Sequence, residues 1–209
     1  ALFCLCTGAA SQDYLGSRKA WCVMADKNKL EQAARLILEA IGEDPNREGL
    51  LETPRRFAEM MEEQMAYTTV SNEEIARQFG KTFTSSEEGP VVVKDISIFS
   101  HCEHHLALMY HMHVSVGYIP HGRVIGLSKV ARIADAVSRR LQIQERIGAD
   151  IRNIIEKVTG SSNVIVRIDG EHSCMAARGI KKPGAVTTTI SSSGKFNTPE
   201  YRQLFKDML

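Results

Sequence analysis

The sequence predicts an α+β fold, an antiparallel sheet carrying a helical pair on one face and preceded by an N-terminal helical extension. Three observations predict it. Apolar residues recur at helical spacing from Leu30 to Phe79. After Gly89-Pro90 the chain turns β-branched, and Met112, Val114, Val116 and Tyr118 alternate with His111, His113, Ser115 and Gly117. Two helical stripes then separate these strands from later ones, and segregated elements indicate α+β architecture.

The elements follow in order. A first helix over 26–41 places Leu30, Ala34, Ile37, Leu38 and Ile41 on one face. Gly42 ends it, and Asp44-Pro45 makes a turn. Thr53 caps a second helix with Pro54 at its first position, turning Phe57, Met60, Met61 and Met65 inward. Ser71 and Glu74 have capping-box spacing for a short third helix containing Ile75 and Phe79. Residues 91–99 read as a strand, and Pro120-His121-Gly122 as a turn. Ser128 caps a long helical region with the stripe Val130, Ile133, Ala134, Val137, Leu141. The stripe Ile147, Ile151, Ile154, Ile155, Val158 follows, and Gly160 stops it. Residues 164–169 and 186–192 are further strands. Residues 1–23 read as an appended or leader segment before Met24, 24–88 as the helical region and 89–209 as the catalytic domain.

Bulk properties exclude several classes. At 209 residues, with 43% apolar and 24% charged content, the chain is an ordinary globular protein. A net charge of +1 and 6% aromatics give no footprint for nucleic acid, and no apolar run reaches membrane-span length. Five cysteines, three of them in the first 22 residues, make no disulfide framework. Sparse cysteine suits a reducing cytoplasm.

The chemistry concentrates around the two body cysteines. Cys102 lies in His101-Cys102-Glu103-His104-His105, and Cys174 in Gly170-Glu171-His172-Ser173-Cys174. Cysteine is often just a small buried hydrophobe, but both of these sit in polar, histidine-rich runs. Cys102, His105 and Cys174, the last on a separate strand, make a Cys2His zinc set that leaves the fourth position to water. His104 and His172 remain beside it for proton transfer. His101, His111, His113 and His121 read as polar surface.

Three further segments have two readings each. Gly126-Leu127-Ser128-Lys129-Val130-Ala131-Arg132 resembles a phosphate corner, with free N–H groups at a helix start and two cations three apart. A capped helix with a solvated basic face fits equally well. Gln142-Ile143-Gln144-Glu145-Arg146 offers a carboxylate for a guanine edge, or is a polar helix junction. Ala177-Arg178-Gly179-Ile180-Lys181-Lys182 brings charge for a polyphosphate, or is a basic hairpin end.

Together these segments resemble the zinc-dependent GTP cyclohydrolase I family from about Asp26 to the C-terminus. The match is densest in Cys102–His105, Gly126–Arg132, Gln144–Arg146 and His172–Gly179, with Thr53-Pro54-x-Arg56 as a further element. The resemblance implies GTP plus water giving 7,8-dihydroneopterin triphosphate and formate, the first step of tetrahydrofolate biosynthesis. It implies Zn2+ on Cys102, His105 and Cys174, whose bound water attacks C8 of the guanine. His172 would protonate N7, His104 would serve later proton transfers, and Ser128 the ribose rearrangement. Glu145, with Gln144 beside it, would read the guanine edge, and Lys129, Arg132, Arg178 and Arg56 would bind triphosphate. The implied architecture is the tunnelling fold in a cytoplasmic homodecamer of two pentamers, with active sites between subunits. Family members often carry proline and phenylalanine soon after Cys-Glu-His-His, where this chain has Leu106-Ala107-Leu108-Met109-Tyr110. All three zinc ligands being present disfavours the zinc-independent second type of cyclohydrolase. A pyruvoyl-tetrahydropterin synthase relative would use three histidines. A non-catalytic zinc or nucleotide-binding module would not need His104 and His172 beside an open metal position.

Overall fold

The computed structural model describes residues 25–209; the leader expected over 1–23 lies outside them. Helix α1 (Lys27–Ala40) is capped by Asp26, whose carboxylate accepts from the Lys29 N–H. Of its expected apolar face only Ala34 is buried; Ile37 and Ile41 are 52% and 69% exposed. Helix α2 (Thr53–Gln64) starts one residue earlier than expected, with Glu52 at the cap and Thr53 inside. It buries Pro54 and Ala58, while Met60 faces outward. Helix α3 (Asn72–Phe79) has both halves of the capping box between Ser71 and Glu74, and buries Ile75, Ala76 and Phe79.

Strand β1 (Thr82–Thr84) pairs antiparallel with β4 (Arg123–Ile125) in a small sheet of its own. The main sheet has the order β5-β2-β3-β6-β7, from β2 (Val91–Cys102), β3 (Ala107–Tyr118), β5 (Leu141–Gln142), β6 (Val164–His172) and β7 (Val186–Ser192). Its β2-β3-β6-β7 part is antiparallel. The sheet is nevertheless mixed, because Leu141 and Gln142 run parallel to His101 and Cys102. Leu141 therefore leaves the helical stripe assigned to it: the helix stops at Ser138 and the chain then extends the sheet.

Helices α4 (Leu127–Ser138) and α5 (Gln144–Thr159) form the expected pair. Val130, Ile133, Ala134 and Val137 from one, and Ile147, Ile151, Ile154 and Ile155 from the other, join Met112, Val114, Val116 and Ile168 in one core. Each isoleucine buried there contributes about 1.5–3 kcal/mol. Gly160 ends α5 in the left-handed conformation, φ 71°.

Helices are not confined to one face. The C-terminal α7 (Pro199–Asp207), not expected from the sequence, is capped by Thr198 with Pro199 in its first turn. Its Phe205 packs with Ile119, Ile165 and Phe196, and Ile165 points opposite to Val164 and Val166. Gly117 permits this approach: a Cβ there would stand 2.9 Å from both Ile165 and Phe205.

Candidate active site

The candidate metal-binding side chains lie at and just beyond the ends of the main sheet's central strands. Strand β2 runs three residues past the expected limit and ends at Cys102, which is buried. The chain turns through Glu103–Leu106, leaving His104 and His105 exposed, and returns as β3. Strand β6 likewise runs to His172. Cys174, expected on a strand, lies in the single-turn helix α6 (Ser173–Ala176) that follows. The hydroxyl of Ser173 holds that turn against β3 by donating to Leu108 O at 2.7 Å.

Pairing β2 with β3 and β3 with β6 therefore closes the long sequence gap between the two motifs. The ligand atoms of Cys102, His105 and Cys174 all lie within 4.8 Å of one another, the group of this kind found among the described residues. Cys102 Sγ is 3.8 Å from His105 Nδ1. Two ligands on a tetrahedral zinc, with bonds of about 2.3 Å to sulfur and 2.0–2.1 Å to nitrogen, stand roughly 3.5 Å apart. The donor set fits on charge as well. Burial, and then the neighbouring Cys102 sulfur, push the Cys174 thiol up, and a cation between the two sulfurs relieves that competition.

Two other expected site residues, His104 and Arg178, touch this group. His104 Nδ1 is 3.7 Å from Cys102 Sγ. Arg178 reaches back over the group, its Nη1 2.6 Å from His105 Nε2. His172 is half-buried, and its Nε2 lies 2.8 Å from Gln144 Oε1. Burial lowers the His172 pKa, and the nearby Glu145 carboxylate opposes that shift. Glu145 itself is exposed in the first turn of α5, whereas Gln144, expected beside it on the guanine edge, is buried.

The basic residues are carried differently. Strand β4 of the small sheet leads into α4, which opens with Gly126 as its cap and no side-chain acceptor for its first N–H groups. Ser128 is thus not the cap but the second helical residue, exposed beside Lys129 and Arg132. Arg56 is exposed on α2. These four hang from the small sheet and the N-terminal helices, not from the strand ends that hold the metal group.

Two features escaped the sequence. His101 is not polar surface but buried, with Nδ1 unpartnered, and burial lowers its pKa. A strand of alternating Ser97, Phe99 and His101 gives no period-2 polarity from which to read that. Glu103 bonds Arg146 through two contacts of 2.7 and 3.1 Å, tying the metal loop to α5. Of the histidines set aside, His111 is exposed and holds Glu171 at 3.0 Å across a bulge, and His113 and His121 are exposed.

The chain is 58% identical over 180 residues to GTP cyclohydrolase 1 of Clostridium acetobutylicum, a match spanning 84% of this chain and 92% of that protein. It is 57% identical over 179 residues to the protein of the same name in Clostridium beijerinckii, spanning 83% and 91%. A solved structure, the archaeosine synthase QueF-Like in the apo form, is similar at 18% identity and a TM-score of 0.41, covering 53% of this chain and 96% of that one. The profile of the GTP cyclohydrolase I family matches residues 30–209. With nearly the whole described chain matched, the sequence belongs to the GTP cyclohydrolase I family.

Proposed function

We propose that this chain hydrolyses the imidazole ring of GTP, releasing formate and rearranging the remainder to 7,8-dihydroneopterin triphosphate for tetrahydrofolate formation. The observation that carries the proposal is the convergence of Cys102, His105 and Cys174 beside His104, in a chain of this family. Zinc held there supplies a Lewis acid that activates water near neutral pH.

The chain's own side chains supply the remainder. C8 of guanine is a weak electrophile until N7 gains a proton, so an acid must act at N7, and His172 is assigned that role. His104, exposed beside Cys102, serves later proton transfers, and the Ser128 hydroxyl the ribose rearrangement. Glu145 accepts from guanine N1–H and the exocyclic amine, two donors that adenine does not present together. Lys129 and Arg132, at the uncapped start of α4, hold triphosphate with Arg178 and Arg56.

The same reading includes the tunnelling fold, a decamer of two pentamers with sites between subunits, and a cytoplasmic location. Supporting the assembly, β7 is an edge strand that exposes Val186 and Ile190, and an uncovered apolar edge invites pairing with another chain. Among the described residues no helix is long and apolar enough to cross a membrane. The test is formate release on adding GTP, with and without a zinc chelator, alongside the molar mass of the assembly. Turnover that a chelator leaves intact overturns the zinc-dependent reading.

A further inference from the structure

Gln144 is the first residue of α5, and it is only 1% exposed. Its amide nitrogen donates to Ile168 O at 3.0 Å and Thr187 O at 2.9 Å, with Thr189 Oγ1 at 3.3 Å. Backbone carbonyls only accept, so the NH2 end of the carboxamide must face them. That turns Oε1 onto His172 Nε2, at 2.8 Å. A carbonyl oxygen also only accepts, so His172 Nε2 carries the hydrogen and the lone pair of the neutral ring is on Nδ1. Gly170 leaves room for the arrangement, because a Cβ there would come within 3.2 Å of Gln144 Oε1 and 2.9 Å of Met112 Cγ.

We infer that Gln144 is a positioning residue for His172, holding one tautomer and one ring orientation so that protons enter and leave through Nδ1. Its donors are spent on β6 and β7 and its oxygen on the imidazole, so it acts through His172 and not on the guanine edge. Holding Nε2–H on Gln144 leaves Nδ1 as the one ring nitrogen free to exchange a proton with the substrate, and orienting a catalytic histidine is worth orders of magnitude in rate. The kinetic part of the inference rests on the proposed ring opening of GTP; the tautomer does not.

The test uses full-length, zinc-loaded protein and the variants Gln144→Met and Gln144→Glu. Gln144→Met is expected to keep its zinc and its KM for GTP while kcat for formate release falls roughly 10–100-fold. Placed on His172→Ala, it should make no further difference, because both changes remove the same function. Gln144→Glu keeps an oxygen on Nε2 but sets its other oxygen against the carbonyls of Ile168 and Thr187, so it should keep the proton on Nε2 while recovering kcat only in part. Nitrogen-15 spectra of histidine-labelled protein without substrate should show His172 protonated at Nε2 in the wild type and as a tautomer mixture in Gln144→Met. A wild-type His172 protonated at Nδ1 overturns the inference. So does a Gln144→Met effect that is equally large on His172→Ala, which would mark Gln144 as a structural strut. If the wild type releases no formate from GTP, the functional reading fails while the spectra still decide the tautomer. If Gln144→Met does not fold, the wild-type spectrum decides it.

Discussion

Glu103 and Arg146 form a two-pronged ion pair across the metal loop, with Nη1 at 2.7 Å and Nη2 at 3.1 Å from the two carboxylate oxygens. The guanidinium holds the Glu103 carboxyl below the usual carboxylate range. Both partners are partly exposed, so the pair adds little to global stability. Its effect is local, because Glu103 follows Cys102 directly and its own N–H donates to Gln142 O. Arg146→Ala is expected to weaken zinc binding by up to roughly 10-fold, with a Tm change of no more than about 3 °C. Competition against a chromophoric chelator, beside a thermal melt, measures both.

Removing a metal ligand should differ in kind from removing a proton-transfer group. Cys174→Ala and Cys102→Ala are expected to lose stoichiometric zinc and, with it, all turnover. His104→Ala should retain zinc while turnover falls by about 10²–10⁴-fold. Metal analysis of each purified variant, run beside single-turnover formate release, separates the classes. Full zinc occupancy in Cys174→Ala would remove that residue from the ligand set.

Base choice should reside in Glu145. Glu145→Gln keeps the shape of the side chain but loses the charge that strengthens two hydrogen bonds, each charge-assisted bond being worth about 1.5–3 kcal/mol. The expected result is a fall in kcat/KM for GTP of roughly 10–100-fold, with zinc content unchanged. Steady-state kinetics that match the wild type would leave Glu145 as a charge at the helix start.

The N-terminal helices are joined to the catalytic sheet through Arg140. Its Nε donates to Tyr67 O at 3.1 Å and its Nη1 to Asn72 Oδ1 at 2.9 Å, and Nη2 donates to Val70 O. Asp150 lies 3.6 Å away and bonds Asn72 and Gln142 in turn. Both charged side chains are largely buried, so Arg140→Met strands a carboxylate and several acceptors. A loss of about 2–4 kcal/mol is expected in urea unfolding, partly recovered when Asp150→Asn is added. A loss under about 0.5 kcal/mol would show that solvent replaces the network, as it does at ordinary surface sites.

What the sequence determined by itself was local. The capping box at Ser71 and Glu74, the stop at Gly160, the strand over 186–192 and the stripes of α4 and α5 all came from period, caps and turn chemistry, and these act within a few residues. The grouping of Cys102, His105 and Cys174 as a candidate metal site was legible from residue type, since both cysteines of the chain's body sit in polar, histidine-rich runs. The resemblance to the family supplied the roles around it. Tertiary structure decided the rest. It took Leu141 from a helix into the sheet, because parallel pairing with His101 satisfies backbone groups that a longer helix would have left without a sheet neighbour. It buried His101 and turned Gln144 inward, because strand pairing, not residue type, sets which side chains meet the core. It also placed Cys174 on a helical turn within ligand distance of Cys102. The register of β2 on β3 and β3 on β6 fixes that proximity, and no pattern within either motif encodes a register between strands.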